Sequence, residues 1–99
     1  MKIYISGRIK DNEHYVKQFA AAEARLKARD PLGTVVNPVT IAHVENATYA
    51  DFMRADLAAL LECDAIYMLN GWEWSVGARL EHHVAALCGI QIRYEDSEY

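Results

Sequence analysis

Glu81 is the residue of this sequence best placed for chemistry. At about 100° per helical residue, Val76, Leu80, Val84 and Leu87 share one face and read as a core stripe. Glu81 falls on the shoulder of that stripe, in line with Gly77 one turn before it and with Ala85 and Cys88 one turn after. Small neighbours leave a carboxylate room to meet a ligand. A glycine in a first helical turn weakens the helix, so its bareness fits the close approach of a ligand. This places Glu81 at the rim of a cleft. Ser75, which caps the same helix, offers a hydroxyl beside free backbone N–H groups and suits a phosphate or a sugar hydroxyl. Asp56 belongs to another helix and lies off the stripe centred on Leu57 and Leu60. Two carboxylates from different helices at one cleft are the least equipment for a double displacement at an anomeric carbon. The ordinary alternative is an exposed glutamate paired with Arg79 or another basic neighbour.

The elements that must position these groups follow from periodicity. Residues 2–6 are a β-rich run that ends at Gly7, which predicts a strand and a tight turn. Residues 12–28 carry Val16, Phe19, Ala20 and Leu26 at helical spacing, and Pro31 with Gly33 stops that helix. Residues 34–36 form a second strand closed by Asn37-Pro38, and residues 39–47 are irregular. Thr48 caps a second helix, with Asp51 in its first turn and a stripe of Met53, Leu57, Leu60 and Leu61. Residues 65–69 are a third strand broken by Asn70-Gly71; the helix after Ser75 runs to about Cys88, where Gly89 stops it. Residues 90–94 are a fourth strand, and an acidic tail over residues 95–99 is expected to be mobile. Alternating strands and helices with long connections predict an α/β fold: a small three-layer Rossmann- or flavodoxin-like domain with a four-stranded, mainly parallel sheet. Ligands of such sheets bind beyond the carboxyl ends of the strands, where strand order reverses. Ser6-Gly7-Arg8, Asn37-Pro38 and residues 70–75 occupy that edge.

Composition narrows the partners. At 99 residues the chain is expected to be one domain, 1–99, with a modest core. Apolar residues make up 53% of it, which predicts that another copy covers part of the surface, unless the many alanines alone inflate the figure. Fourteen acidic and 10 basic residues give a net charge of −4 with no basic run, which argues against a nucleic-acid polymer as partner. No apolar stretch is long enough to span a membrane, and the first residues lack the pattern of a signal peptide. Cys63 and Cys88 sit within apolar patterns and read as free core thiols, which fits a cytoplasmic protein. His82-His83 diverge by about 100° on a helix and cannot ligate one metal together, and His14 and His43 lie in unrelated segments, so no metal site is expected. Trp72 and Trp74 flank Glu73 in the cleft loop, where they fit either stacking on a base or a self-association surface. Gly7 alone is no phosphate fingerprint, and Arg8 is either a bidentate phosphate donor or a plain surface arginine.

Three segments together resemble the nucleoside 2-deoxyribosyltransferase superfamily, and within it a branch of small phage and bacterial proteins. They are residues 1–7 (MKIYISG), Arg54-Ala55-Asp56-Leu57 with Cys63-Asp64-Ala65-Ile66 and Gly71-Trp72-Glu73, and the run from Ser75 to Glu81. The resemblance implies an enzyme in which Glu81 attacks the anomeric carbon and Asp56 assists the departing base. It also implies that Ser75 meets the sugar or its 5′-phosphate, that Ser6, Gly7 and Arg8 close on the substrate, and that Tyr4 orients the nucleophile; Gly77, from its place in the first turn, is expected to line the substrate site. The implied partner is a nucleoside or nucleotide, with no cofactor, in a homodimer or higher homo-oligomer. The chain departs from the family in having His82-His83 soon after Glu81, where proven transferases usually have glycine. Base transfer, hydrolysis of a nucleotide N-glycosidic bond, and nucleotide binding without turnover all remain open at this point.

Overall fold

The computed structural model describes residues 1–95, so residues 96–99 of the expected tail lie outside the described part. Four strands, β1 (Lys2–Ser6), β2 (Thr34–Val36), β3 (Ala65–Met68) and β4 (Gln91–Tyr94), alternate with three helices, α1 (Tyr15–Arg29), α2 (Tyr49–Leu61) and α3 (Val76–Leu87). All three strand pairings are parallel, in the order β2-β1-β3-β4, which is the flavodoxin-like order as far as four strands take it. The order reverses between β1 and β3, so the crevice at their carboxyl ends is the switch point where this architecture binds ligands.

The alternation of side chains along the two central strands builds two cores. Ile3, Ile5, Ala65, Tyr67 and Leu69 pack on Phe19, Ala22 and Leu26 of α1. Tyr4, Ile66 and Met68 point the other way, onto Leu60 of α2 and Ala78 and Ala85 of α3. This is the expected three-layer arrangement. The caps also form as their residue types dictate. Thr48 and Asp51 make a reciprocal capping box on α2, Ser75 accepts from the Ala78 N–H at α3, and Gly89, at φ 72°, follows α3 where residues with side chains are disfavoured.

Helical faces are where the structure corrects the sequence reading. The inward row of α3 is Ala78, Glu81 and Ala85, whereas Val76 and Leu87 of the expected core stripe are 67% and 73% exposed and Leu80 is exposed as well. Large apolar residues at helical spacing predict a face rotated from the one that is buried. The row that faces the sheet is made of two alanines with one carboxylate between them. In α2 only Leu60 of the expected stripe is buried; Met53 and Leu57 are half-buried and Leu61 is exposed. In α1 the buried positions are Phe19, Ala22 and Leu26, while Val16 and Ala20 face outward and the helix begins at Tyr15 rather than near residue 12. Cys63 is a buried free thiol as expected, but Cys88, at the end of α3, is exposed. Among the described residues no helix is long and apolar enough to cross a membrane.

Candidate active site

Glu81 is not at a rim: its residue is 6% exposed, in the second core, and both carboxylate oxygens accept hydrogen bonds from β1. The Tyr4 hydroxyl donates to Oε2 at 2.5 Å and the Ser6 hydroxyl donates to Oε1 at 2.7 Å. Tyr4 and Ser6 are two residues apart on a strand, so the pleat puts them on one face, beneath α3. No ion pair of Glu81 is present among the described residues. Burial pushes its carboxyl up to about 7, against the two hydroxyl bonds that lower it, and nearby Asp56 raises it further. The Tyr4 phenol is driven well above its ordinary range, first by burial and then by Glu81 and Asp56, so it stays a protonated donor.

Above Glu81 opens a cleft of about 820 Å³, within the roughly 300–1,000 Å³ of small-molecule sites. Each wall comes from one element. The loop after β1 supplies Gly7, Arg8 and Lys10, α2 supplies Tyr49, Phe52, Met53 and Asp56, and the start of α3 supplies Ser75, Val76, Gly77 and Glu81. Asp56 is half-buried, its Oδ1 is shut off from solvent with no hydrogen-bond partner, and burial raises its carboxyl while His43 pulls the other way. Arg8 uses its Nε to donate to the Lys10 carbonyl at 3.2 Å, which folds the loop back and brings two cations to the cleft. Ser75 spends its oxygen lone pair on the Ala78 N–H at 3.1 Å and keeps its O–H to give. Gly7 is bare for packing as well as access, because a Cβ there would stand 3.1 Å from the Leu69 side chain.

Two expectations are corrected here. Trp72 does not line the cleft: its ring stacks on His82, with centroids 4.4 Å apart, beside Tyr94, and the indole that reaches the cleft is Trp74, 79% exposed. Gly77 lines the cleft, but the space over it is taken, since a Cβ there would meet the Tyr49 hydroxyl at 3.0 Å and Met53 Sδ at 3.5 Å. The aromatic wall of Tyr49, Phe52 and Trp74 was missed. Its signal was present, because Tyr49, Phe52, Met53 and Asp56 recur at helical spacing. The structure places both Tyr49 and Phe52 in the cleft wall.

Known proteins match this arrangement in fold. A family model described as a domain of unknown function (DUF4406) matches residues 1–94. A solved structure of a 2-deoxyribosyltransferase from the psychrotolerant bacterium Bacillus psychrosaccharolyticus is similar at a TM-score of 0.72, with 22% identity, over 95% of this chain and 71% of that one. That likeness bears out the α/β fold. A search of curated proteins finds no match.

Proposed function

The chain belongs to the DUF4406 family, a domain of unknown function, and on that footing we propose that it is an enzyme acting at the N-glycosidic bond of a (deoxy)nucleoside or nucleoside 5′-monophosphate. The observation that carries this reading is Glu81: a buried carboxylate, with no cation paired to it among the described residues, held on both oxygens by hydroxyls at the floor of the cleft. A carboxylate kept only for structure is costly in such a place, whereas a nucleophile needs fixed geometry and a tuned proton affinity. A glycosyl-transferring fold neighbour supports the same reading.

In this mechanism a Glu81 oxygen attacks the anomeric carbon as the C–N bond breaks. The bonding pair leaves with the base, whose nitrogen takes a proton from Asp56. A bound base excludes water from Asp56, raises its carboxyl further and favours the distribution the step needs, with the proton on Asp56 and the charge on Glu81. Water or a second base then attacks the glycosyl ester, gives its proton to Asp56 and frees Glu81. A carboxylate supplies the covalent step itself, so no cofactor is required. Tyr4 orients the nucleophile. Ser75 and Arg8, with Gly7 and Gly77 shaping the walls, hold the sugar or its phosphate, and of the two indoles Trp74 is the one that stacks on the base.

The test is incubation with a panel of deoxynucleosides and their 5′-monophosphates, with chromatography for free base. Base release that Glu81→Gln abolishes in a folded protein supports the assignment; release undiminished in that variant removes Glu81 from the mechanism. Calorimetric binding of nucleotides with no release by the wild type would replace catalysis by binding alone.

A further inference from the structure

Ser6 faces away from the role that its place in the chain suggests. It ends β1 and opens the loop that lines the cleft, yet it is 1% exposed and its hydroxyl is committed to Glu81 Oε1 at 2.7 Å. Its carbonyl accepts from the Leu69 N–H at 2.8 Å, so its one hydroxyl proton is spent and burial keeps both polar ends from a ligand. We infer that Ser6 is a positioning residue that, together with Tyr4, keeps the Glu81 carboxylate in its ionised, fixed form, rather than a contact to the substrate. The inference rests on Glu81 being the nucleophile.

The argument is one of hydrogen-bond accounting. An ionised carboxylate only accepts, and each hydroxyl here donates to a different oxygen. Both bonds stabilise the charged form that burial penalises. The charged group that acts on Glu81 is Asp56 on α2, an anion, while the neutral Tyr4 phenol acts through its hydrogen bond; Arg8, Lys10 and Asp11 of the loop after β1 line the same cleft. The rest of the core around α3, Ile66, Met68, Trp72 and Ile92, is uncharged. The two hydroxyls therefore do the work that a lysine or arginine would do elsewhere. With both in place, burial still holds Glu81 up at about 7, so the two bonds are what keep its charged form within reach. Without Ser6, the protonated form, which has no nucleophilic oxygen to offer, takes over.

The experiment follows the Glu81 carboxyl by NMR titration of protein carrying 13C-labelled glutamate, with Glu81→Gln identifying the signal. In Ser6→Ala the midpoint is expected to rise by roughly one to two pH units, the equivalent of one charged hydrogen bond. Ser6→Cys, near in size but a poor donor, should move it in the same direction. The rising limb of any base-release profile should move with it. A midpoint unmoved in both variants while Tyr4→Phe shifts it would overturn the inference, as would a rate lowered equally at every pH. Loss of folding in both variants would also overturn it, by assigning Ser6 to packing. The titration needs no turnover, so the two failures are distinguishable: an unmoved midpoint sinks this inference alone, whereas base release persisting in Glu81→Gln sinks the proposed function and, with it, the catalytic role drawn here for Ser6.

Discussion

At the scale of residues, Glu81 links stability to pH. Its carboxyl titrates near 4.5 in an unfolded chain and at about 7 in the folded one. Between those values the native state holds a proton that the unfolded state has released, so this group makes stability fall as pH rises from about 4.5 through 7. The full difference is about 3 kcal/mol, present above pH 7. Glu81→Gln, with nothing to ionise, should be more stable than wild type at pH 8 and show a flatter profile in urea unfolding at pH 5 and pH 8. Equal profiles would mean that the carboxyl is not held from water. Arg8 makes a second case. A guanidinium on a dianionic phosphate contributes roughly 1.5–3 kcal/mol. Calorimetry on Arg8→Ala should therefore show monophosphate binding about ten- to a hundredfold weaker, with nucleoside binding almost unchanged. Equal losses for both ligands would assign Arg8 to loop shape, through its bond to the Lys10 carbonyl.

At the scale of elements, α2 separates what pattern reveals from what packing decides. Its start was legible because the Thr48–Asp51 box is local chemistry. Its buried face was not, because Leu60 and Leu61 are equal candidates on any hydrophobicity scale and only the distance to the sheet distinguishes them. Leu60 is fully buried against β1 and β3, whereas Leu61 is exposed. Leu60→Ala should cost about 2–5 kcal/mol of unfolding free energy, and Leu61→Ala well under about 1 kcal/mol. Similar losses in both would mean that Leu61 is covered in solution. The same reasoning applies to α3, where the periodicity pointed to the large residues and the sheet selected the small ones.

At the scale of the whole molecule, Val76, Leu80 and Leu87 give α3 an outward apolar row, with Leu61 exposed on α2. A two-fold axis presents one patch to itself, so a row of this kind suits a symmetric contact between copies. Sedimentation at micromolar concentration is expected to give twice the 11.2 kDa chain mass or more. Leu87→Glu is expected to return the mass to that of the monomer without loss of folding. A wild-type mass near 11.2 kDa, with function intact on dilution, would remove self-association and any sharing of the cleft between copies.

The sequence by itself determined the order and type of the four strands and three α-helices, the parallel sheet, the caps of α2 and α3, and the sheet edge at which to look for a site. These follow from local periodicity and from the rule that long crossovers make parallel pairs. It also singled out Tyr4, Ser6, Asp56, Ser75 and Glu81, through residue type and resemblance. Only the tertiary structure decided that Glu81 points inward between two alanines, that Ser6 is bonded to it, that Trp74 rather than Trp72 reaches the cleft, and that Gly77 makes room for Tyr49. The physical reason is the same in each case. A side chain's face depends on how close its element lies to the next one, and a polar group is buried only where partners from a distant strand satisfy it, here across 75 and 77 residues of chain.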